Sequence, residues 1–193
     1  MPTPAAPVSA LLLAGGQGQR MGGQDKGLLP WQGLPLIAHV QRQVRPLTDD
    51  LIISCNRNAE AYRGYADRLV ADAEAGFPGP MAGLLAGLAA ARHSWLLVLP
   101  CDVPGLDPAL LNGLLATAFA ADGVAMVRQG GQWEPLLCVI PTRLLGAFEQ
   151  AWRAGERSPR KVLLAAGASA FDCPAEDPRL ANLNTPALLR SAR

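Results

Sequence analysis

The amino-acid sequence predicts a three-layer α/β fold in which helices cover both faces of a mostly parallel central sheet. Short apolar runs alternate with helical runs of about ten residues, a pattern typical of a parallel sheet with covered faces. The chain of 193 residues is half apolar and 17% charged, so it can bury a large core. We find no internal repeat and no linker rich in Pro, Gly or Ser, and therefore expect residues 1–193 to form a single domain.

Breaks in the sequence delimit the elements of the first half. A turn at Gln32-Gly33 ends a short extended segment, and Pro35 then opens a helix at a position where its missing N–H carries no cost. The prolines and glycines of residues 76–80 interrupt the chain before a strongly helical run. The predicted elements are strand 8–14, extended segment 28–31, helix 36–44, strand 51–54, helix 59–65, strand 69–71 and helix 81–92.

Capping residues delimit the elements of the second half. Asp107-Pro108 and Ser158-Pro159 each combine an N-cap residue with a proline suited to the first helical turn. Gly130-Gly131 predicts a turn between two strands, and Gly155 ends a helix. The predicted elements are strand 95–99, helix 107–120, strands 124–127 and 133–140, helices 142–154 and 158–166, strand 170–173 and a terminal helix from Thr185.

The composition argues against several classes of partner and site. With a net charge of +1, the chain has no overall field that would attract nucleic acid or an acidic membrane. The four cysteines are widely spaced without a C-x-x-C pair, so we expect reduced, buried thiols rather than a zinc or redox site. The amino terminus lacks a basic region, and the apolar run 82–91 is too short to cross a bilayer, so the expected location is the cytoplasm.

A glycine-rich segment follows the first predicted strand. Five of the nine residues 15–23 are glycine, Arg20 lies inside this segment, and Lys26 lies just beyond it. Glycines let backbone N–H groups approach an anion, and the two cations supply counter-charge. Because open α/β sheets bind ligands at the carboxyl ends of their strands, the segment predicts a nucleotide-phosphate site there. The alternative is a turn that only joins two elements and leaves both cations solvated.

Two better-known phosphate loops do not fit this segment. The Walker A loop requires Gly-Lys followed by Ser or Thr, whereas here Asp25 precedes Lys26 and Gly27 follows it. The dinucleotide-binding fingerprint requires a third glycine where Met21 stands, and an acidic residue near Cys55-Asn56 at the end of the second strand. The segment therefore belongs to neither class of loop.

Two carboxylates follow predicted strands at the same edge of the sheet. Asp102 lies between Pro100 and Pro104, which restrict the backbone around it, and Asp72 follows the third predicted strand. A carboxylate that faces phosphate oxygens requires a cation between them. Mg²⁺, bound by one or two carboxylates with phosphates and water, meets that requirement. The alternative for either residue is a helix-capping or turn aspartate.

The glycine-rich segment and later motifs together carry a family resemblance. Residues 13–27 contain Leu-Ala-Gly-Gly-x-x-x-Arg-Met-Gly-Gly-x-Asp-Lys-Gly, and the later motifs are Gly33-x-Pro35-Leu36, Asp72, Pro78-Gly79-Pro80-x-Ala82-Gly83, Pro100-Cys101-Asp102-x-Pro104 and Asn182-x-Asn184-Thr185-Pro186. In this order they resemble the molybdenum cofactor guanylyltransferases over nearly the whole chain. The cytidylyltransferase of the same pterin resembles them with a second alanine in place of Gly15, so Gly15-Gly16 favours guanine.

The resemblance implies an enzyme with a Rossmann-like nucleotidyltransferase fold that transfers GMP from GTP to the phosphate of molybdopterin and releases pyrophosphate. It implies Mg²⁺ as cofactor, GTP binding in the N-terminal half and molybdopterin binding in the C-terminal part. The acceptor phosphate is itself a nucleophile, so His39 and His93 are expected to be structural. The partners expected beyond the substrates are other cofactor-biosynthesis proteins and molybdoenzyme chaperones, with no nucleic acid and no membrane.

The resemblance also assigns residues to the site. It implies that Arg20, Lys26 and Asp102 act in catalysis, with Asp102 as the metal ligand. Ser54 stands where close relatives carry an asparagine, and a hydroxyl replaces only part of an amide's hydrogen bonding. The implied GTP-binding residues are Leu13, Ala14, Gly15, Gly16, Gly22, Lys26, Ser54, Asp72 and Asp102. The implied molybdopterin-binding residues are Gly79, Gly83, Arg157, Asn182 and Asn184.

A basic cluster adds a second candidate for the acceptor phosphate. Four basic residues against one acidic residue give a local charge of +3 within nine residues. The cluster consists of Arg153, Arg157, Arg160 and Lys161 with Glu156. The alternative is a solvated charged face.

Three other functions stay open from the sequence. The first is a CTP-dependent molybdopterin cytidylyltransferase, and the second is another sugar- or alcohol-phosphate nucleotidyltransferase, although many of those carry an extra domain that this chain lacks. The third is a GTP-binding module that delivers the pterin to an apoenzyme without catalysis.

Overall fold

In the computed structural model, helices lie on both faces of a seven-stranded sheet, and the structure describes residues 6–14, 24–73 and 79–183. The strands are β1 (Ser9–Leu13), β2 (Pro30–Trp31), β3 (Leu34–Pro35), β4 (Asp50–Ser54), β5 (Arg68–Val70), β6 (Trp95–Pro100), β7 (Ala125–Gln129), β8 (Gln132–Pro141) and β9 (Ser169–Cys173). The α-helices are α1 (Leu36–Val44), α2 (Ala59–Tyr62), α3 (Pro80–Ala90), α4 (Pro108–Ala121), α5 (Leu145–Arg153) and α6 (Pro159–Ala165).

The order of the strands confirms the predicted, mostly parallel sheet. The sheet runs β5-β4-β1-β6-β8-β7-β9, while β2 and β3 form a separate hairpin. Strand β8 is antiparallel to both of its neighbours, and every other pairing in the sheet is parallel. The β7–β8 hairpin turns at Gly130 and Gly131, whose φ angles of 53° and 84° favour glycine. The parallel strands therefore end at one common edge, which we call the carboxyl edge.

Two apolar layers separate the sheet from its helices, which confirms the three-layer prediction. On one face, α1 and α4 cover β-strand side chains such as Leu12, Ile53 and Leu97. On the other face, α3, α5 and α6 cover side chains such as Leu11 and Val98. The four cysteines are free and buried, as predicted. Within the described ranges, no helix combines the length and apolarity needed to cross a membrane.

Some element boundaries differ from the prediction. Helix α1 has its predicted bounds, but the predicted helix 59–65 is one α-helical turn followed by a 3₁₀ turn at Arg63–Tyr65. Gly64 lies in that turn, and glycine is a poor helix former. The predicted helix 142–154 begins with a 3₁₀ turn at Thr142–Leu144 before α5 starts. The predicted terminal helix from Thr185 lies outside the described residues.

Helix α3 packs closely on the sheet because it presents glycines to it. A Cβ added at Gly87 would overlap the buried side chain of Leu11, and one added at Gly83 would lie 2.8 Å from Ser54 Oγ and 2.9 Å from Leu13 Cδ2. These distances are shorter than real Cβ contacts, so the two glycines set the helix–sheet spacing. The first turns of α3 consequently cover the carboxyl ends of β1 and β4.

A buried carboxylate joins the strands at the opposite edge of the sheet. Asp50 is fully buried, accepts hydrogen bonds from Ser9 Oγ at 2.5 Å and from the Arg92 backbone N–H at 2.9 Å, and forms ion pairs with the guanidinium groups of Arg68 and Arg92. Burial raises the pKa of Asp50, but its hydrogen bonds and the Arg68 charge lower it more, so the net shift is downward. The folded protein therefore stabilises the Asp50 carboxylate.

We predict that Asp50→Asn lowers the free energy of unfolding by about 2 kcal/mol at neutral pH, because it removes charge-assisted hydrogen bonds from a buried site. A lowered folded-state pKa contributes stability above the unfolded value, 3.8, that is lost as the pH falls through the folded value. In urea titrations, the difference in free energy of unfolding between the native protein and Asp50→Asn should therefore be constant from pH 5 to 8 and shrink below pH 4. Asp49→Asn, at the neighbouring exposed position, is the control: it removes only a surface ion pair with His93 and should lower the urea midpoint of unfolding far less than Asp50→Asn does.

We also predict opposite effects for two glycine-to-alanine substitutions in helices. Gly87→Ala should lower the free energy of unfolding by about 1–2 kcal/mol, because overlap with the buried Leu11 outweighs the gain in helix propensity. Gly146→Ala is the matched control, since a Cβ there meets nothing within 4 Å. It should raise the free energy of unfolding by up to about 1 kcal/mol. Equal effects of the two variants in urea unfolding would contradict the close packing of α3.

Candidate active site

The carboxyl edge brings together the ends of four neighbouring parallel strands, β5, β4, β1 and β6. Two residues predicted to bind GTP, Leu13 and Ala14, stand at its centre, at the end of β1. The Ala14 N–H donates to the carbonyl of Ser54 on one side at 2.9 Å, and the Leu13 carbonyl accepts from Cys101 N–H on the other at 3.2 Å. These bonds extend the strand register into the segments that follow the strands.

An ion pair joins the two described residues predicted to act in catalysis. Lys26 Nζ donates to Asp102 Oδ2, although 76 positions separate them in the sequence. Lys26 belongs to a 3₁₀ turn, Lys26–Leu28, and Asp102 follows β6. The side chains are 22% and 14% exposed, so the pair is partly accessible to a ligand. A cation and a carboxylate that face an open edge can bind an anionic substrate and a metal ion.

Asp72 occupies a different part of the same edge. Its carboxylate accepts from Asn56 Nδ2 at 2.7 Å, and its backbone N–H donates to Asn56 Oδ1 at 2.9 Å. Asp72 follows β5, which is three strand spacings from β6, or about 14 Å. Asp72 and Asp102 therefore follow strands that are not neighbours in the sheet. The role of Asp72 at the nucleotide stays a prediction.

Ser54 lies at the end of β4 beneath helix α3. Its side chain is 1% exposed, and Gly83 of α3 lies directly above its hydroxyl. The structure thus gives Ser54 and Gly83 a packing contact with each other. The predicted contacts of Ser54 with GTP and of Gly83 with molybdopterin stay predictions.

The residues predicted to bind molybdopterin lie in separate parts of the structure. Gly79 precedes α3 with a φ of 98°, a conformation that favours glycine. Arg157 lies 3.7 Å above the Trp152 ring and donates to the Trp152 carbonyl at 2.8 Å. Trp152 also lines a groove of about 320 Å³ between α3 and α5.

Asn182 lies in another part of the structure. It is exposed, and the next residue donates its N–H to the carbonyl of Asp102 at 3.0 Å. The structure therefore places the residue after Asn182 against the backbone of Asp102, and the contacts of Asn182 and Arg157 with molybdopterin stay predictions.

Ion pairs offset part of the charge of the predicted basic cluster. Lys161 pairs with Glu156 at 3.3 Å, and Arg153 pairs with Glu149 at 3.0 Å.

Five predicted site residues lie outside the described residues, so their roles stay predictions. They are Gly15, Gly16, Arg20, Gly22 and Asn184.

Sequence reasoning missed a cluster of side chains next to Lys26, which we call the Asp25 cluster. It consists of Asp25, Arg57, Asn58 and Tyr62. The Asp25 carboxylate is buried and accepts from Tyr62 Oη at 2.5 Å and Asn58 Nδ2 at 3.0 Å, while Arg57 Nε lies 3.8 Å from it. The signals in the sequence are that Asp25 belongs to the motif of residues 13–27 and adjoins Lys26, whereas the other members follow it by more than 30 residues.

The electrostatics of nearby groups argue against a nucleophilic side chain. Burial, reinforced by the adjacent Asp102 charge, raises the pKa of the Cys101 thiol to about 12, so this thiol is protonated at neutral pH. Burial and the hydrogen bond to Asp25 raise the pKa of Tyr62 well above its usual value. Both groups therefore stay neutral.

Among the described residues, few side chains at this edge could hold a metal ion. In the three described ranges, no group of three or more His, Cys, Asp or Glu side chains could hold an ion. Asp102 lies at this edge beside Lys26, and Asp72 lies elsewhere along it. This arrangement fits Mg²⁺, which is commonly bound by one or two carboxylates while phosphates and water fill the other positions.

Comparisons with known proteins identify the family and the fold. The MobA-like NTP transferase domain matches residues 10–170. The molybdenum cofactor guanylyltransferase of Pseudomonas paraeruginosa (strain PA7) is 66% identical over 184 residues, 95% of this chain and 93% of that protein. Its counterpart in Pseudomonas fluorescens (strain SBW25) is 65% identical over 186 residues, 96% and 93% of the two chains. The crystal structure of molybdopterin-guanine dinucleotide biosynthesis protein A from Archaeoglobus fulgidus shares the fold, with a TM-score of 0.75 at 23% identity over 95% of this chain and 96% of that one.

The family match and the carboxyl edge point to the same class of enzyme. The family domain spans both β1 and β6, and thus both partners of the Lys26–Asp102 pair. Nucleotidyltransferases of this kind generally use a divalent metal ion. The chain belongs to the MobA-like NTP transferase family of nucleotidyltransferases.

Proposed function

We propose that this protein is a molybdenum cofactor guanylyltransferase, which transfers GMP from GTP to the terminal phosphate of molybdopterin. The observation that carries the proposal is the Lys26–Asp102 pair at the carboxyl edge, in a chain about two-thirds identical to relatives of that name. The Gly15-Gly16 pair of the sequence supports guanine as the base. The protein combines GTP binding in its N-terminal half with molybdopterin binding in its C-terminal part, within one domain.

The reaction requires electrostatic stabilisation rather than a protein nucleophile. A phosphate oxygen of the acceptor attacks the α-phosphorus of GTP and forms the new P–O bond. The bond between the α-phosphorus and the bridging oxygen breaks, and its electron pair leaves with pyrophosphate. The two histidines lie in structural contacts: His39 Nε2 is 2.9 Å from the Trp31 carbonyl, and His93 pairs with Asp49 at the far edge of the sheet. Neither is needed in this mechanism.

Lys26 and Asp102 perform different parts of the stabilisation. Lys26 neutralises charge on the α-phosphate and on the approaching acceptor, which reduces the repulsion between two anions. Asp102 orients Lys26 through the ion pair and is the residue that would hold Mg²⁺. When bound, Mg²⁺ supplies further positive charge to the phosphates of GTP. The backbone contact between Asp102 and the residue after Asn182 supports Asn182 as a residue that binds the acceptor.

The surroundings of the reaction follow from the proposal. Free, buried thiols suit a reducing compartment, and we place the enzyme in the cytoplasm. Its product passes to other cofactor-biosynthesis proteins and to molybdoenzyme chaperones.

We predict that Lys26→Ala and Asp102→Asn each lower the rate of guanylyl transfer by roughly two to three orders of magnitude, because each removes a charge that acts on the phosphates. The measurement is pyrophosphate release with GTP, Mg²⁺ and molybdopterin. Asp122→Asn is the control, since Asp122 is 81% exposed at the end of α4 and should leave the rate unchanged. Losses below tenfold for both site variants would contradict the assigned roles.

We predict that GTP with Mg²⁺ raises the melting temperature more than CTP does at the same concentration. A ligand at 100 times its Kd stabilises a protein by about 2.7 kcal/mol, or about 5–10 °C for a chain of this size. CTP should shift the transition by less than about a third of that. A larger shift with CTP, together with cytidylyl transfer, would assign the protein to the CTP-dependent relatives instead.

A further inference from the structure

The end of β4 and the residues just after it contact both residues that flank the glycine-rich segment. Before the segment, the Ala14 N–H donates to the Ser54 carbonyl at 2.9 Å. After it, Arg57 Nη2 donates to the Gln24 carbonyl at 3.0 Å. The described residue before the segment and the first one after it are therefore both fixed by residues 54–57.

The Asp25 cluster fixes the backbone immediately before Lys26. Asp25 is 8% exposed and Tyr62 is fully buried. A buried carboxylate is stable only when hydrogen bonds or charges compensate it, and here the donors are Tyr62 and Asn58, with Arg57 nearby. Asn58 adopts a left-handed conformation, with a φ of 54°, as it enters α2. Asp25 has few alternative positions that keep these contacts.

Tyr62 also limits the backbone immediately after Lys26. A Cβ added at Gly27 would lie 2.5 Å from Tyr62 Oη, so residue 27 packs directly against the same hydroxyl that binds Asp25. Asp25 and Gly27, the two neighbours of Lys26, therefore both contact the buried hydroxyl of Tyr62. The Lys26 side chain, between these two neighbours, forms the ion pair with Asp102.

We propose that Tyr62 and Asn58 are positioning residues that act through Asp25 to hold Lys26 within reach of Asp102 and of the substrate phosphates. The inference rests on the proposed guanylyl transfer. Small displacements of a charged group from its working position can lower a rate by up to about a hundredfold. Burial and the hydrogen bond to Asp25 raise the pKa of Tyr62, so its hydroxyl keeps the proton that it donates to Asp25.

A double-mutant cycle between Tyr62→Phe and Lys26→Ala tests the proposal. Phenylalanine keeps the buried ring and removes only the hydroxyl. Tyr62→Phe should lower kcat/KM about tenfold in the native background and less than about twofold in the Lys26→Ala background, because it acts through Lys26. Asn58→Gly, which keeps the backbone conformation without the amide, should behave in the same way. Equal losses in both backgrounds, or a loss below about twofold in the native one, would overturn the proposal.

A control separates positioning from folding. Tyr65→Phe removes a hydroxyl from the turn that follows α2, where the ring packs against the same core, and should change kcat/KM less than about twofold in either background. Melting temperatures of all variants confirm that they are folded. If the native protein shows no transfer, the proposed function fails, and the same cycle is then measured on the Kd of GTP. Additive effects on that Kd would overturn the positioning role by itself.

Discussion

The ion pair between Lys26 and Asp102 depends on two separate parts of the fold that must agree in position. The register of β1 with β6 places Asp102, since the Cys101 N–H donates to the Leu13 carbonyl just before it. The Asp25 cluster places Lys26, which enters from a 3₁₀ turn outside the sheet. A slip of either part would separate the two charges, so the site inherits its geometry from strand register and from one buried carboxylate.

The rest of the sheet keeps that register fixed. At the far edge, the buried Asp50 binds Ser9 directly across from it on β1 and also accepts from the segment that leads into β6. On one face, α3 lies so close to β1 that glycine is required at the contacts with Leu11 and Leu13. Sideways movement of β1 would break charge-assisted bonds at one end and create overlap at the other. The strand that leads into the glycine-rich segment is thus held at both ends.

Local patterns predicted most of the fold but only part of the site. Helix α1 and the β7–β8 hairpin followed from Pro35 and Gly130-Gly131, because these residues restrict the backbone where they stand. Lys26 and Asp102 were predicted as site residues because each lies in a sequence motif, and the structure brings the two together. The pairings of Asp25 with Tyr62 and of Asp72 with Asn56 were not predicted, because they join residues that are distant in the sequence and come together only in the fold. Periodicity carries no information on such contacts.

The two aspartates that flank Lys26 differ in how much further bonding they can accept. Asp25 is almost completely buried and already accepts hydrogen bonds from a phenol and an amide beside the charge of Arg57, so little of its carboxylate is accessible to an incoming ion. Asp102 is more exposed and lies at the open edge, where an incoming ion can share its carboxylate with Lys26. The difference in burial therefore gives the two aspartates different roles. Asp25 holds the backbone next to Lys26 in place, and Asp102 binds at the side of the substrate.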